Sequence, residues 1–128
     1  MKKLLALLTT ALIAATVYAG EYPDISIKEL RSAIEAKKVT VIDVNGTDSY
    51  QKRHIPGALN FDTNKEKLAN VLPKDKKALV VAYCANPQCN AYQAAAKAAE
   101  KLGYTNVKHL SAGIAGWTNA GEKIEKAN

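Results

Sequence analysis

The stretch Ala78-Leu79-Val80-Val81-Ala82-Tyr83-Cys84-Ala85-Asn86-Pro87-Gln88-Cys89-Asn90, with the alanine-rich run that follows to Gly103, decides the fold of this chain. Ala78 to Tyr83 is a continuous apolar run of strand length, which reads as a central strand buried on both faces, as in parallel sheets. Asn90 is placed to cap the helix that follows. Ala91, Ala94, Ala95, Ala98, Ala99 and Leu102 recur at helical spacing as a core-facing stripe, with Lys97, Glu100 and Lys101 outside. Gly103 stands where a left-handed cap ends the helix. Strand, short loop and helix together are the unit from which parallel sheets are built.

Working outward, the same alternation recurs. Ser26 and Glu29 form a capping box, with Ile25 and Leu30 as the hydrophobic staple around it. The helix they open is expected to reach Lys37 or Lys38 and to bury Leu30, Ala33 and Ile34. Val39 to Val44 is a β-branched strand closed by Asn45-Gly46. Asp48 to His54 reads as a short helix, Ala58 to Phe61 as a weak extended segment, and Lys65 to Val71 as another short helix. Val107 to Leu110 is a further strand, and Ile114 to Ala120 a final helix around Trp117, more a core residue than a stacking platform. The expected fold is three-layer α/β/α with a mainly parallel central sheet.

The chain has 128 residues, and its first nineteen read as a leader, not as part of that domain. Lys2 and Lys3 precede an apolar run from Leu4 to Val17, and Val17-Tyr18-Ala19 offers a peptidase site. The run is shorter than the ~20 residues a spanning helix needs. The expectation is a signal peptide at 1–19, a single domain at 20–128, and an exported protein, periplasmic or secreted, with no membrane association after cleavage. Loss of Lys2 and Lys3 lowers the formal charge from +6 to +4, with no basic run longer than two residues. Such a surface lacks the basic stripe of a nucleic-acid binder. It would tolerate a small anionic substrate.

Chemistry concentrates at Cys84. Ligands of open parallel sheets bind beyond the carboxyl ends of the strands, and Cys84 is the first residue past the buried strand. The loop Ala85 to Cys89 feeds a helix N-terminus, where backbone N–H groups and the helix dipole would hold a thiolate or a persulfide anion. A buried core cysteine is the alternative for Cys84. Cys89 lies five positions away, so a bond between the two would close a very small loop, and a purely structural staple explains the pair poorly. Three roles stay open for Cys89: an inert filler, a resolving thiol that attacks a Cys84 persulfide or forms a reversible disulfide, and the nucleophile itself. Neither a metal nor a cofactor is expected.

With these residues in place, the sequence resembles the rhodanese-like single-domain sulfurtransferases. Val41-Ile42-Asp43-Val44, then Tyr50 and His54-Ile55-Pro56-Gly57-Ala58, is similar to the family's first signature. Val80 to Cys84, the loop, and the helix ending Leu102-Gly103-Tyr104 is similar to its active-site segment. Asn106-Val107 to Leu110, with Gly113, Trp117 and Gly121, is similar to its last signature. The resemblance spans about Asp24 to Gly121. It implies a catalytic Cys84 cycling between thiol and persulfide, with Ala85, Asn86, Gln88, Cys89 and Asn90 as the binding loop. It further implies a structural turn histidine at His54, an Asp43 that orients loops rather than acting as a base, and no cofactor. The implied partners are a small anionic sulfur donor, thiosulfate or polysulfide, and a thiol or other thiophilic acceptor.

The chain departs from the family pattern at Asn45 and Cys89, where many members have arginine, and at Ala112-Gly113, which replaces a Gly-Gly pair. Pro87 adds a loop position without an N–H. With no Lys or Arg in the loop, weak thiosulfate:cyanide activity is expected, and phosphate binding is disfavoured. A thiol–disulfide redox protein using Cys84 and Cys89, and a non-catalytic rhodanese-like binding module, are the other readings. His109 reads as a packed or edge residue of the last strand.

Overall fold

The computed structural model describes residues 22–127; the leader expected at 1–19 lies outside them. Four parallel strands, β1 (Val39–Asp43), β2 (Leu59–Asn60), β3 (Leu79–Tyr83) and β4 (Val107–His109), form one sheet in the order β2-β1-β3-β4. Helices α1 (Ile27–Glu35) and α6 (Gly113–Asn119) cover one face, and α4 (Leu68–Val71) and α5 (Tyr92–Lys101) the other. The three-layer α/β/α architecture read from the sequence is the one observed.

The alternation of β3 sorts its side chains into two cores. Val81 and Tyr83 pack with Leu30, Val41, Ile55, Leu110, Ile114 and Trp117. Val80, Ala82 and Cys84 pack with Ile42, Leu68, Leu72 and the buried side of α5. A strand buried on both faces has no polar side, which is why its sequence runs apolar without a break.

Local chemistry sets the element ends. Ser26 caps α1, its Oγ accepting from the Glu29 N–H at 3.1 Å, as the capping box requires. The helix stops at Glu35, short of the expected Lys37 or Lys38. Lys37 takes a left-handed φ of 56°, and the Lys38 N–H turns back to the Ala33 carbonyl. Helix α2 spans Thr47–Lys52. Phe61 does not extend β2, because the Asn60 side chain caps α3 (Phe61–Asn64) by accepting from the Asp62 N–H. A 3₁₀ turn at Lys65–Lys67 links α3 to α4, so the single helix expected from Lys65 is two short pieces.

Helix α5 is rotated from its expected orientation. Tyr92, Ala95, Ala96 and Ala99 are its buried residues, whereas Ala91 and Ala94 are exposed. Asn90 makes no side-chain cap; Ala91 is the cap residue, and the Asn90 carbonyl accepts from the Gln93 N–H. Alanine fills both candidate faces, so the larger apolar gain from burying the Tyr92 ring decides between them.

Asp43 and Tyr83, register partners on β1 and β3, are both fully buried. The Tyr83 hydroxyl donates to Asp43 Oδ2 and accepts from the Ile55 N–H at 3.0 Å, and Asp43 Oδ1 accepts from the Asn45 N–H at 2.8 Å. Burial pushes the Asp43 carboxyl above the usual aspartate range, opposed by the hydrogen bonds from Tyr83 and Asn45. A raised folded-state pKa contributes stability that is full below the unfolded value and lost as pH rises through the folded one. Asp43→Asn cannot ionise, so the stability of wild type relative to this variant is expected to fall from acid to neutral pH in denaturant titrations. A difference that grows with pH contradicts the assignment. Tyr83→Phe strips a donor from Asp43 and an acceptor from Ile55, for an expected cost of about 2–4 kcal/mol.

Candidate active site

From β1 the chain goes first to β2 on one side and then to β3 on the other, so the carboxyl ends of β1 and β3 flank the switch point of the sheet. Cys84 follows β3 there, 2% exposed. The loop from Ala85 to Ala91 leads from it into α5.

The loop is held from below by α6. The Ile114 N–H donates to the Cys84 carbonyl at 3.0 Å and the Ala115 N–H to the Ala85 carbonyl at 2.9 Å. The first turn of α6 therefore satisfies its own unpaired donors on the loop. Gly113 makes this approach possible: at φ +64°, a Cβ there would lie 2.5 Å from the Ala85 carbonyl atoms and 2.6 Å from the Asn86 nitrogen. No alanine could take that place without displacing the loop backbone. The sequence marks Gly113 only as a signature position; the contact that requires it is nonlocal.

Cys84 and Cys89 are joined by a disulfide, their Cα atoms 6.2 Å apart. Asn86 shapes the loop between them: its Oδ1 accepts from the Gln88 N–H at 3.0 Å and its carbonyl from the Cys89 N–H at 3.1 Å. In this linked form two of the N–H groups expected to converge on an anion are turned to Asn86, and Pro87 has none to offer. The N–H groups of Ala85 and Asn86 have no acceptor among the described residues. Asn86, Pro87, Gln88 and Asn90 are exposed, and Cys89 is partly exposed. Among the described residues no group of His, Cys, Asp and Glu side chains is arranged to hold a metal ion.

His54 is 5% exposed, its Nδ1 lies 2.7 Å from the Tyr50 carbonyl, and its ring stacks on Tyr50 at 3.8 Å. It therefore fastens the turn before Ile55. His109, on edge strand β4, stacks on Tyr92 with ring centroids 3.5 Å apart. The segment at Tyr22–Ile25 runs along β4, with the His109 N–H donating to the Pro23 carbonyl and the Ile25 N–H to the His109 carbonyl. Tyr22 meets Tyr92 edge-on at 6.4 Å. Sequence reading passed over Tyr22 and Tyr92, because aromatic residues so far from His109 along the chain give no local signal.

The family model of the rhodanese-like domain matches residues 26–120. The chain is 34% identical over 118 residues to an HTH-type transcriptional regulator of Mycobacterium tuberculosis, covering 91% of this chain and 50% of that protein. The chain thus spans about half the length of that relative. With the thiosulfate sulfurtransferase GlpE of Shewanella oneidensis it shares 29% identity over 104 residues, covering 79% of this chain and 97% of that one. Among solved structures, the BH2092 protein of Bacillus halodurans superposes with a TM-score of 0.64 at 28% identity, covering 82% of this chain and 77% of that one.

Gly113→Ala is expected to destabilise the protein more than Gly57→Ala, measured by denaturant unfolding. Both glycines have positive φ, but a Cβ at Gly57 meets nothing within 4 Å. The Gly57 change carries only the conformational cost, about 1 kcal/mol. The Gly113 change adds backbone overlap and is expected to cost about 2–4 kcal/mol. Equal costs would mean that the loop yields freely.

Proposed function

Because the chain belongs to the rhodanese-like domain family, we propose that it is a sulfurtransferase that carries sulfane sulfur as a persulfide on Cys84. The observation that carries this reading is the placement of Cys84 at the carboxyl end of the central strand, at the switch point and at the start of the loop into α5. Transfer starts from the dithiol form. The Cys84 thiolate attacks the outer sulfur of thiosulfate or of a polysulfide. The donor's S–S bond breaks, and sulfite or a shortened polysulfide leaves with the electron pair. The persulfide anion then faces the unpaired N–H groups of Ala85 and Asn86 and the N-terminus of α5, all of which favour negative charge. A thiol or other thiophilic acceptor attacks the outer sulfur, and the Cys84 thiolate departs. In this reading the leader at 1–19 exports the domain to the periplasm or the medium.

Neither Lys nor Arg stands in the loop, so an anionic donor relies on backbone dipoles and remoter charges. This favours a neutral or singly charged donor over thiosulfate. The disulfide supports a second reading, in which Cys84 and Cys89 work as a thiol–disulfide pair.

Intact-mass measurement separates the two readings. Reduced protein incubated with polysulfide is expected to gain one sulfur atom, and the Cys84→Ser variant none. If reduced wild-type protein takes up no sulfur from thiosulfate or polysulfide yet cycles reversibly between dithiol and disulfide, the redox reading replaces sulfur transfer.

A further inference from the structure

The two sulfurs of the disulfide differ in access. Cys84 is buried beneath the loop, in the core shared with Ala82 and Ala96. Cys89 is partly exposed and lines a cleft of about 340 Å3 together with Tyr22, Tyr92 and His109. Cys84 is absent from that lining. Pro87, Gln88, Asn90 and Gln93 complete the rim, so among the described residues the lining combines aromatic walls and carboxamides, with the Glu100 carboxylate behind it as a hydrogen-bond partner of the Tyr22 phenol. Its wall also contains the single buried side-chain polar atom that has no hydrogen-bond partner among the described residues, His109 Nε2. Burial holds the His109 imidazole below its usual pKa and so keeps it neutral, and burial raises the Tyr22 phenol to about 12. An occupant therefore meets a hydrogen-bonding wall with a neutral imidazole beside a disulfide sulfur.

We propose that this cleft is the docking site of a small amide-bearing thiol that reduces the disulfide by attacking Cys89 rather than Cys84. The incoming thiolate bonds to Cys89 Sγ, the Cys89–Cys84 bond breaks, and Cys84 leaves with the electron pair as a thiolate. A second molecule of the thiol attacks the first one's sulfur and releases Cys89. In sum, two thiols are oxidised to one low-molecular-weight disulfide, and their two protons pass to the cysteines. Attack in this direction is the one access favours, since the sulfur that is reached decides the exchange. It also makes Cys84 the leaving group, at the position where the unpaired N–H groups of Ala85 and Asn86 and the start of α5 stabilise a thiolate. The cleft thereby regenerates the thiolate on which the sulfurtransferase reading rests.

The test uses the oxidised protein without any sulfur donor, so its result is independent of whether Cys84 carries sulfur. The disulfide form is mixed with N-acetylcysteine amide, quenched in acid, alkylated and mapped by peptide mass spectrometry. The expected product carries the probe on Cys89 and the alkyl group on Cys84; the reverse pattern overturns the proposal. N-acetylcysteine amide is also expected to outpace 2-mercaptoethanol by about tenfold after correction for their rates with a model disulfide, as one or two hydrogen bonds allow. In a Gln88→Ala/Asn90→Ala variant, altered only at exposed loop positions, that preference should shrink while the adduct stays on Cys89. Equal rates for the two thiols, or a preference untouched by the double substitution, would remove the cleft from the reaction. Failure of a mild oxidant to join the two thiols would remove it as well.

Discussion

A carboxylate shielded from water, Asp43, sits at the carboxyl end of β1 and is held by the Tyr83 hydroxyl of β3 and the Asn45 backbone. Burying such a group without partners costs several kcal/mol, so the contact is satisfied or the fold is lost. Through the Tyr83 hydroxyl the same network takes in the Ile55 N–H and with it the turn fastened by His54. The two central strands and the segment leading to β2 are thereby fixed at the end of the sheet where the site lies. Among the described residues no hydrogen bond joins the Asp43 side chain to the cysteines. Its effect on them runs through the register of β3, whose next residue is Cys84.

The loop after Cys84 is kept in place by backbone groups. Carbonyls of Cys84 and Ala85 accept from the start of α6, the side chain of Asn86 shapes the turn, and Gly113 lets the two backbones touch. A scaffold built this way tolerates replacement of the loop's side chains. That is consistent with a loop that holds Pro87 and Cys89 and no Lys or Arg. It also means that the electrostatic character of the site is set by oriented dipoles rather than by side-chain charge.

The disulfide changes what this scaffold presents. With Cys84 tied to Cys89, the loop closes on itself and two of its N–H groups turn to Asn86. Reduction frees both sulfurs beside the Ala85 and Asn86 N–H groups, which have no acceptor among the described residues. The asymmetry between the buried and the accessible sulfur is what gives the pair its direction in the proposed chemistry, with exchange at Cys89 and anion chemistry at Cys84.

The sequence by itself determined the layered α/β fold, the capping box at Ser26, the buried strand ahead of Cys84, and the three signatures that carry the family resemblance. These are legible because strand burial, helix capping and turn chemistry are written in neighbouring residues. It missed the face of α5, since alanine on several sides leaves the periodicity undecided until Tyr92 finds His109. Tertiary structure alone decided the close approach of Gly113 to Ala85, the partners of Asp43, and the cleft where Tyr22 and His109 meet Cys89. Each joins segments tens of residues apart. Hydrophobic pattern states which side of an element is buried, but not which distant side chain or backbone atom it will be buried against.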